Sequence, residues 1–542
     1  MPTAITVSGL DCRLGDDTEI FSQLTATIPT GLIGLVGDNG IGKSTLAKIL
    51  AGLLPATAGT ATGTDGAVYI DQLLPHSPQR VDAALGIADV RHALQRALHG
   101  DADDTDFDRI GDDWDIEERA LAATADLGLH LELDDLDRRL SSFSGGQATR
   151  IGLARAALVG EAWLILDEPS NNLDEDGRAL LTSLLSARRG PTLVISHDRT
   201  LLSHVDAIIE MTDRLRVYGG DFDDYEAMVA AEEAAKRQRI VDAKKSLEIE
   251  RRQRIDLETK LARADRKAAK DKENKRRPKI VMNGLANFAE KSAAKRRGDK
   301  AADEASALAD LDAAKDSLRS SSSVRLDLPE TTVHLSKRVL SLDSDSLDRP
   351  VEIVGPERIR LTGPNGAGKS TLLAAIMAAS GVPMRPGPPI DELFGRLAIR
   401  VSVPLAHLDQ QYRLPEALTV MEAIRSGNPH LGPHRVHEVL AGMGLRAGRT
   451  EQRCGTLSGG ERFRVALAAG LLSEPAPQLL ILDEPGNNLD LSSLEALATG
   501  LEGFGGAMIV ITHDDRLAAE LAAETEWDVR EFLRAKAVGL ST

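Results

Sequence analysis

The chain has 542 residues, of which 42% are hydrophobic, 27% charged and only 3% aromatic, and it carries a net charge of -18. That length exceeds what one hydrophobic core fills and predicts several domains, while so few aromatics exclude base stacking as the main means of recognising a nucleic acid. Two distant cysteines, Cys12 and Cys454, exclude a disulfide framework or a zinc cluster, and no run approaches the roughly 20 apolar residues that span a bilayer, so a cytoplasmic protein without a membrane segment is expected.

In chain order, the apolar run at residues 32–36 predicts a strand leading into GDNGIGKST at residues 37–45. Gly37, Asn39, Gly40 and Gly42 form a loop whose amides converge on phosphate oxygens, with a helix start behind it. Lys43 is then placed to reach the β and γ phosphates, Ser44 to put its hydroxyl on Mg²⁺, and Thr45 follows. VYIDQ ends in Gln72, which either closes a turn or helps to ligate Mg²⁺. Residues 100–118 form an acidic insert that reads as a solvated loop and helix start, with no function assigned. Ser144, Gly145 and Gly146, in SGGQ, open a helical stretch able to bind an anion, but no lysine or carboxylate nearby completes the site. LILDEPSNNLD, at residues 164–174, reads as a buried strand ending in two carboxylates: Asp167 to hold Mg²⁺ and Glu168 to orient or deprotonate water. VISHD places His197 at another strand end, where it can contact a γ phosphate or hold that water, although a lone histidine there is more often structural.

Residues 223–324 change character. Between Lys236 and Lys300 there are 23 Lys and Arg against 10 Asp and Glu, a balance of +13, leaving -31 on the other 477 residues. Strong helix formers dominate, and Pro278 with Asn283-Gly284 suggests a turn, so a helical hairpin is expected with its tip at about residues 273–287. Leu308, Leu311, Ala314 and Leu318 form the expected stripe of the returning arm, and Leu257, Leu261, Ala264 and Ala268 a weaker one on an outgoing arm of about 45 residues. Lys275, Arg276, Arg277, Lys279, Lys295, Arg296 and Arg297 are the candidate contacts to RNA phosphates; the blander alternative is a solvated strut.

The first set of blocks then recurs in the same order. GPNGAGKST supplies Gly363, Asn365, Gly366, Gly368, Lys369, Ser370 and Thr371; AHLDQ supplies Gln410; SGGE supplies Ser458, Gly459 and Gly460; LILDEPGNNLD supplies Asp483 and Glu484; VITHD supplies His513. Two homologous α/β domains built on mostly parallel sheets follow, at residues 1–222 and 325–542.

The full series of phosphate loop, Gln loop, Ser-Gly-Gly signature, Asp-Glu-Pro strand and switch histidine resembles the ATP-binding cassette ATPases, over some four-fifths of the chain. The resemblance implies ATP and Mg²⁺ as cofactors, ATP hydrolysis as the reaction, and a P-loop NTPase fold in each domain. It further implies head-to-tail pairing of the cassettes within a monomer, Ser144 closing over the nucleotide at Lys369 and Ser458 over that at Lys43. Residues 172–174 and 488–490 match the family's seam-crossing loop, whereas the usual adenine-stacking aromatic is missing from DCRLGDD and LDSDSLD. Two cassettes with an interposed basic hairpin and LDEPxNNLD in both halves resemble the ABC-F subfamily. That implies a ribosome partner, with the hairpin near P-site tRNA, rRNA and the peptidyl-transferase centre. A translation factor and an antibiotic ribosome-protection protein share every motif; the soluble ATPase of an exporter leaves the basic hairpin unexplained, and a repair ATPase lacks its zinc cysteines.

Overall fold

The computed structural model describes residues 3–532 except 14, 16–17, 72–76, 172, 274–278, 317–327, 345–349, 365, 382–396, 409–411, 444, 446 and 487–488. The chain divides into two compact units, residues 1–223 with 322–542, and residues 224–321.

Within the first unit each sequence repeat builds one cassette. The first contains β1 (Ile5–Arg13), β2 (Glu19–Ile28), β3 (Leu32–Val36), β4 (Ala58–Thr62), β5 (Val68–Ile70), β6 (Leu164–Asp167), β7 (Thr192–Ile195), β8 (Ala207–Met211) and β9 (Leu215–Gly219). The second contains β10 (Arg338–Ser344), β11 (Val351–Val354), β12 (Arg358–Thr362), β13 (Leu397–Val401), β14 (Leu405–Leu408), β15 (Leu479–Asp483), β16 (Ala507–Ile511) and β17 (Thr525–Asp528). Among the described residues the main sheets have the orders β5-β6-β7-β3-β8-β9 and β14-β15-β16-β12-β17, parallel except for the antiparallel β8-β9 edge. Each cassette adds a three-stranded antiparallel sheet, β2-β1-β4 and β11-β10-β13.

Continuous apolar runs form the central strands because both faces of a parallel sheet are covered. In β6, Ile165 packs with Leu46 and Leu50 of the helix Lys43–Leu50, while Leu164 and Leu166 pack with Ile151 and Leu181 on the opposite face. The second cassette repeats the alternation, Leu479 and Ile481 on one side and Leu480 and Leu482 on the other. Burial on both faces fixes register, so the carboxyl ends of β3, β6 and β7 come to one edge, where ligands of open α/β sheets bind.

The acidic insert is more ordered than its composition suggests. Asp103 caps the helix Asp104–Ile110 by accepting from the Asp106 amide at 2.9 Å, and Asp106 is itself buried against Arg96. A carboxylate held by a guanidinium can enter a packed surface, so this segment is not simply a solvated loop.

The second unit is a pair of helices, Phe222–Glu273 continuing from the first unit and Lys279–Asp316. Lys300 bonds Glu250 at 3.0 Å, Arg251 and Arg254 each reach Glu304 at 3.1 Å, and Leu247 packs with Ala307 and Leu311. In each pair the two residue numbers add to nearly the same total, the signature of antiparallel helices. At 52 residues the outgoing helix is longer than expected, spanning roughly 75–80 Å.

Three details differ from the sequence reading. Asn283-Gly284 lies inside the second helix, as do residues 279–287 of the anticipated tip; residues 274–278, with Pro278, Lys275, Arg276 and Arg277, lie outside the described residues. A helical glycine costs only about 1 kcal/mol, which the strong formers around it offset. Leu308 is exposed, and the buried cluster joins Ala307 and Leu311 to Ile240, Ala243 and Leu247; of the expected outgoing stripe Leu257 and Leu261 are half-buried and Ala264 is exposed, and Leu318 is not described.

Candidate functional site

Lys43 opens the helix after β3, and Gly42 before it has φ 105°. A Cβ on Gly42 would lie 2.6 Å from Ile20 Cγ2, so both the turn and its packing require glycine. Gly37 and Gly40 are also left-handed, as are Gly363, Gly366 and Gly368 in the second loop. Asn39 joins the first loop; Asn365 falls outside the described residues. The Lys43 Nζ donates to the Gly37 and Asp38 carbonyls at 2.6 and 3.1 Å, and Lys369 donates likewise to Gly363 and Pro364. Burial lowers both lysines from their ordinary pKa, opposed by Glu168 at the first and Glu484 at the second. Ser44 and Thr45, like Ser370 and Thr371, lie in the first turn of the helix behind each loop.

Asp167 ends β6 facing this loop. Burial pushes its carboxyl up, against hydrogen bonds from Ser44 and from the Tyr69 hydroxyl, the latter at 2.8 Å. Asp483 ends β15 close enough to Lys369 to act on its charge. Gln72 and Gln410 lie outside the described residues.

Glu168 and Glu484 adopt φ of 48° and 47°, the left-handed region that ordinary side chains avoid. Each is held there by its own amide, which donates to the carbonyl of Ile195 at 2.9 Å or Ile511 at 3.0 Å. Local strain of this kind persists where the surrounding structure overdetermines the backbone, and it concentrates at functional sites. Burial pushes the Glu168 carboxyl up to about 8 despite Lys43, and pulls His197 down to about 3. The two side chains approach at 3.6 Å. His513 is likewise brought down to about 4, by burial first and then by Lys369 and Arg178. Both histidines are thus neutral at pH 7.

Ser144 and Ser458 are N-caps of the helices Gly145–Leu158 and Gly459–Leu471. Ser144 Oγ accepts from the Gln147 amide at 3.3 Å while Gln147 Oε1 accepts from the Ser144 amide at 3.0 Å; Ser458 and Glu461 make the same capping box. Gly145 and Gly146, like Gly459 and Gly460, therefore form helix first turns whose amides favour an anion.

The seam is built from both cassettes. The Asn39 amide donates to Asp490 at 2.8 Å, Ser492 Oγ to Asp38 at 3.2 Å, and Arg199 pairs with Glu520 at 2.5 Å. Asp174, the counterpart of Asp490, bonds Arg150 at 3.0 Å and acts on the charge of Lys369 across the seam. Between the two sets lies a cavity of about 40 Å³, room for roughly two or three waters, bounded by Glu168, His197 and Arg178 on one side and Glu484, His513 and Leu494 on the other. Glycine cradles, buried lysines and facing carboxylates at each loop fit a nucleoside triphosphate with Mg²⁺. Tyr69, Arg178, Arg199 and the left-handed backbone of Glu168 and Glu484 escaped the sequence reading. Only Tyr69, two residues before Asp71 in VYIDQ, carried any signal there.

Comparison with known proteins agrees with this geometry. The family model described as "ABC transporter" matches residues 21–171 and 351–487. The tylosin resistance ATP-binding protein TlrC of Streptomyces fradiae is 31% identical over 93% of this chain and 93% of its own length. The energy-dependent translational throttle protein EttA of Escherichia coli is 29% identical over 91% of this chain and 87% of its own. A solved structure of an archaeal ribosome recycling factor, aABCE1, with the ribosomal stalk protein aP1 superposes with a TM-score of 0.52 at 20% identity, covering 95% of this chain and 86% of that one. That last likeness concerns the fold.

Proposed function

The chain belongs to the ABC-F branch of the ATP-binding cassette ATPases and hydrolyses ATP, and from that premise we propose that it is a cytoplasmic ribosome-binding factor acting on translation. ATP with Mg²⁺ draws the cassettes together and hydrolysis releases them, setting how long the hairpin stays near P-site tRNA and the peptidyl-transferase centre. In this reading Glu168 and Glu484 orient or deprotonate the attacking water, His197 and His513 hold it against the γ phosphate, and Ser44 with Asp167 and Ser370 with Asp483 hold Mg²⁺, assisted by Gln72 and Gln410. The loops 37–45 and 363–371 bind the triphosphates, each closed by the other cassette's Ser-Gly-Gly helix start.

The observation that carries the reading is the hairpin's charge placement. On the hairpin Arg237, Arg251, Arg254 and Lys300 are engaged in ion pairs with Glu233, Glu304 and Glu250, whereas Arg239, Lys244, Lys245 and Arg252, and further along Arg263, Arg266, Lys267, Lys291, Lys295, Arg296 and Arg297, are exposed. An exposed run of cations on a long rod, carried by an otherwise acidic protein, favours RNA phosphates. Lys275, Arg276, Arg277 and Lys279 extend that run in sequence.

The test is co-sedimentation with ribosomes in ATP and ADP. The proposal expects ATP-dependent binding that weakens with salt and is lost when Lys295, Arg296 and Arg297 become glutamate. Equal sedimentation in ATP and ADP overturns it. A second reading, protection of ribosomes from an antibiotic, is favoured by the likeness to a tylosin resistance protein over nearly the whole chain. Raised tylosin tolerance on expression in a susceptible host distinguishes it. No helix among the described residues is long and apolar enough to cross a membrane.

A further inference from the structure

We propose that Arg178 is a positioning residue that links the two ATP sites in one direction, tying the switch of the first cassette to the seam loop that serves the second site. Its Nη1 donates to Asp198 Oδ2 at 2.8 Å and its Nε to the Leu173 carbonyl at 3.4 Å. Asp198 follows His197, which stands beside Glu168 in the first site. Leu173 precedes Asp174, whose carboxylate acts on Lys369 and His513 in the second site. One planar guanidinium therefore spans two elements that belong to different sites, which a single ammonium would not do with the same geometry.

The other cassette supplies the comparison. Leu494 occupies the corresponding position, four residues after Asp490, and is buried in the apolar core. Asp514 nevertheless caps its helix by accepting from the Leu517 amide at 3.0 Å, and its own amide donates to Thr512 Oγ1 at 3.1 Å. Asp198 makes the matching bonds, accepting from the Thr200 and Leu201 amides at 3.0 and 3.2 Å and donating to Ser196 Oγ at 3.1 Å. The switch is thus held in both cassettes without an arginine. What Arg178 adds is the attachment of the seam loop, and it adds it in one cassette.

This inference rests on ATP hydrolysis alone and is tested without ribosomes. Arg178→Leu, the residue the second cassette uses, and Arg178→Lys are each placed in Glu168→Gln and Glu484→Gln backgrounds, leaving one hydrolytic site at a time. Loss of the strut is expected to lower kcat about tenfold at the Lys369 site, with KM for Mg·ATP within about twofold, and to change the Lys43 site by less than about twofold. Lysine should fall between arginine and leucine. The second measurement is hydrogen exchange of residues 173–177 in the protein carrying both Glu→Gln changes. Adding Mg·ATP should protect this loop, and Arg178→Leu should remove most of that protection. An equal fall at both sites, a change in KM alone, or undiminished protection overturns the proposal. Should the leucine variant not fold, the lysine variant carries both measurements, and a wild-type result there overturns it equally.

Discussion

The first and second cassettes keep the same carboxylates and histidines at the seam but support them differently. Asp167 is bonded by Tyr69; at the same sheet register, opposite Ile481 as Tyr69 is opposite Ile165, the second cassette has His407. Asp174 is bonded by Arg150, whereas the corresponding Arg464 bonds Ser493 and Asp490 accepts from Asn39 across the seam. Arg178 and Leu494, at corresponding positions of the two cassettes, both line the cavity at the seam. Duplication has kept the groups that meet nucleotide and altered those that hold them. Identical chemistry can then run at two different rates, because a displacement of about 1 Å in a positioned group is enough to slow a reaction a hundredfold.

The largest effect tests what the cassettes share. Glu168→Gln with Glu484→Gln should lower steady-state ATP hydrolysis by roughly 10²–10⁴-fold, the usual contribution of a positioned base, and, on the proposed function, trap a ribosome-bound state in ATP. The single variants should differ from one another. Equal halving by each would mean that the supporting residues do not matter to rate.

A smaller effect isolates one support. Tyr69→Phe removes a hydrogen bond to a buried carboxylate, worth about 1.5–3 kcal/mol. Measured in the Glu484→Gln background, the Lys43 site should lose on the order of tenfold in kcat/KM, with a greater need for Mg²⁺, while the Lys369 site stays unchanged. A loss of equal size at both sites would sink the idea that Tyr69 makes the first cassette distinct. Smaller again is Arg199→Ala. It removes a nearly buried cation paired with half-exposed Glu520 across the seam, and about 1–2 kcal/mol of cassette pairing should go with it, read as a lower urea midpoint.

How much of this was legible in sequence follows from the range of the signal. β3, β6, β7 and their counterparts are short apolar runs ended by Gly, Asp-Glu or His, and a local pattern of that kind names both the strand and the residue at its end. The left-handed Glu168 and Glu484 follow from amides donating to Ile195 and Ile511, each 27 residues away in sequence, and no local pattern reports them. Arg178 and Arg199 read as ordinary helix cations until the partner element is known. In the hairpin, Leu308 and Leu311 both satisfy helical spacing, and only the position of Leu247 decides which is buried. Asn283-Gly284 resembles a turn dipeptide, yet long flanking helix formers carry it inside a helix.

The smallest prediction compares the switch histidines by pH. Burial holds His197 neutral with a pKa of about 3, against an ordinary value near 6.5, and the opposing pull of Asp490 does not restore it. Because the folded pKa lies below the unfolded one, the unfolded chain takes up the proton first. The contribution of His197 is therefore fully present above about pH 6.5 and is lost as pH falls toward 3. Between pH 7 and 5.5 the loss amounts to about 1 kcal/mol for this one group. Carboxylates elsewhere also respond to acid, but they are common to wild type and variant. Urea unfolding at pH 7 and 5.5 should thus show His197→Gln losing about 1 kcal/mol less than wild type over that interval. His513→Gln should behave alike down to pH 5, since its folded pKa of about 4 is still below the range. The two variants should separate only as pH approaches 4, where His513 begins to protonate in place and His197 does not. Parallel slopes for wild type and His197→Gln between pH 7 and 5.5 would mean that this imidazole reaches water in the folded protein, and that the seam is looser on the first cassette's side than on the second's.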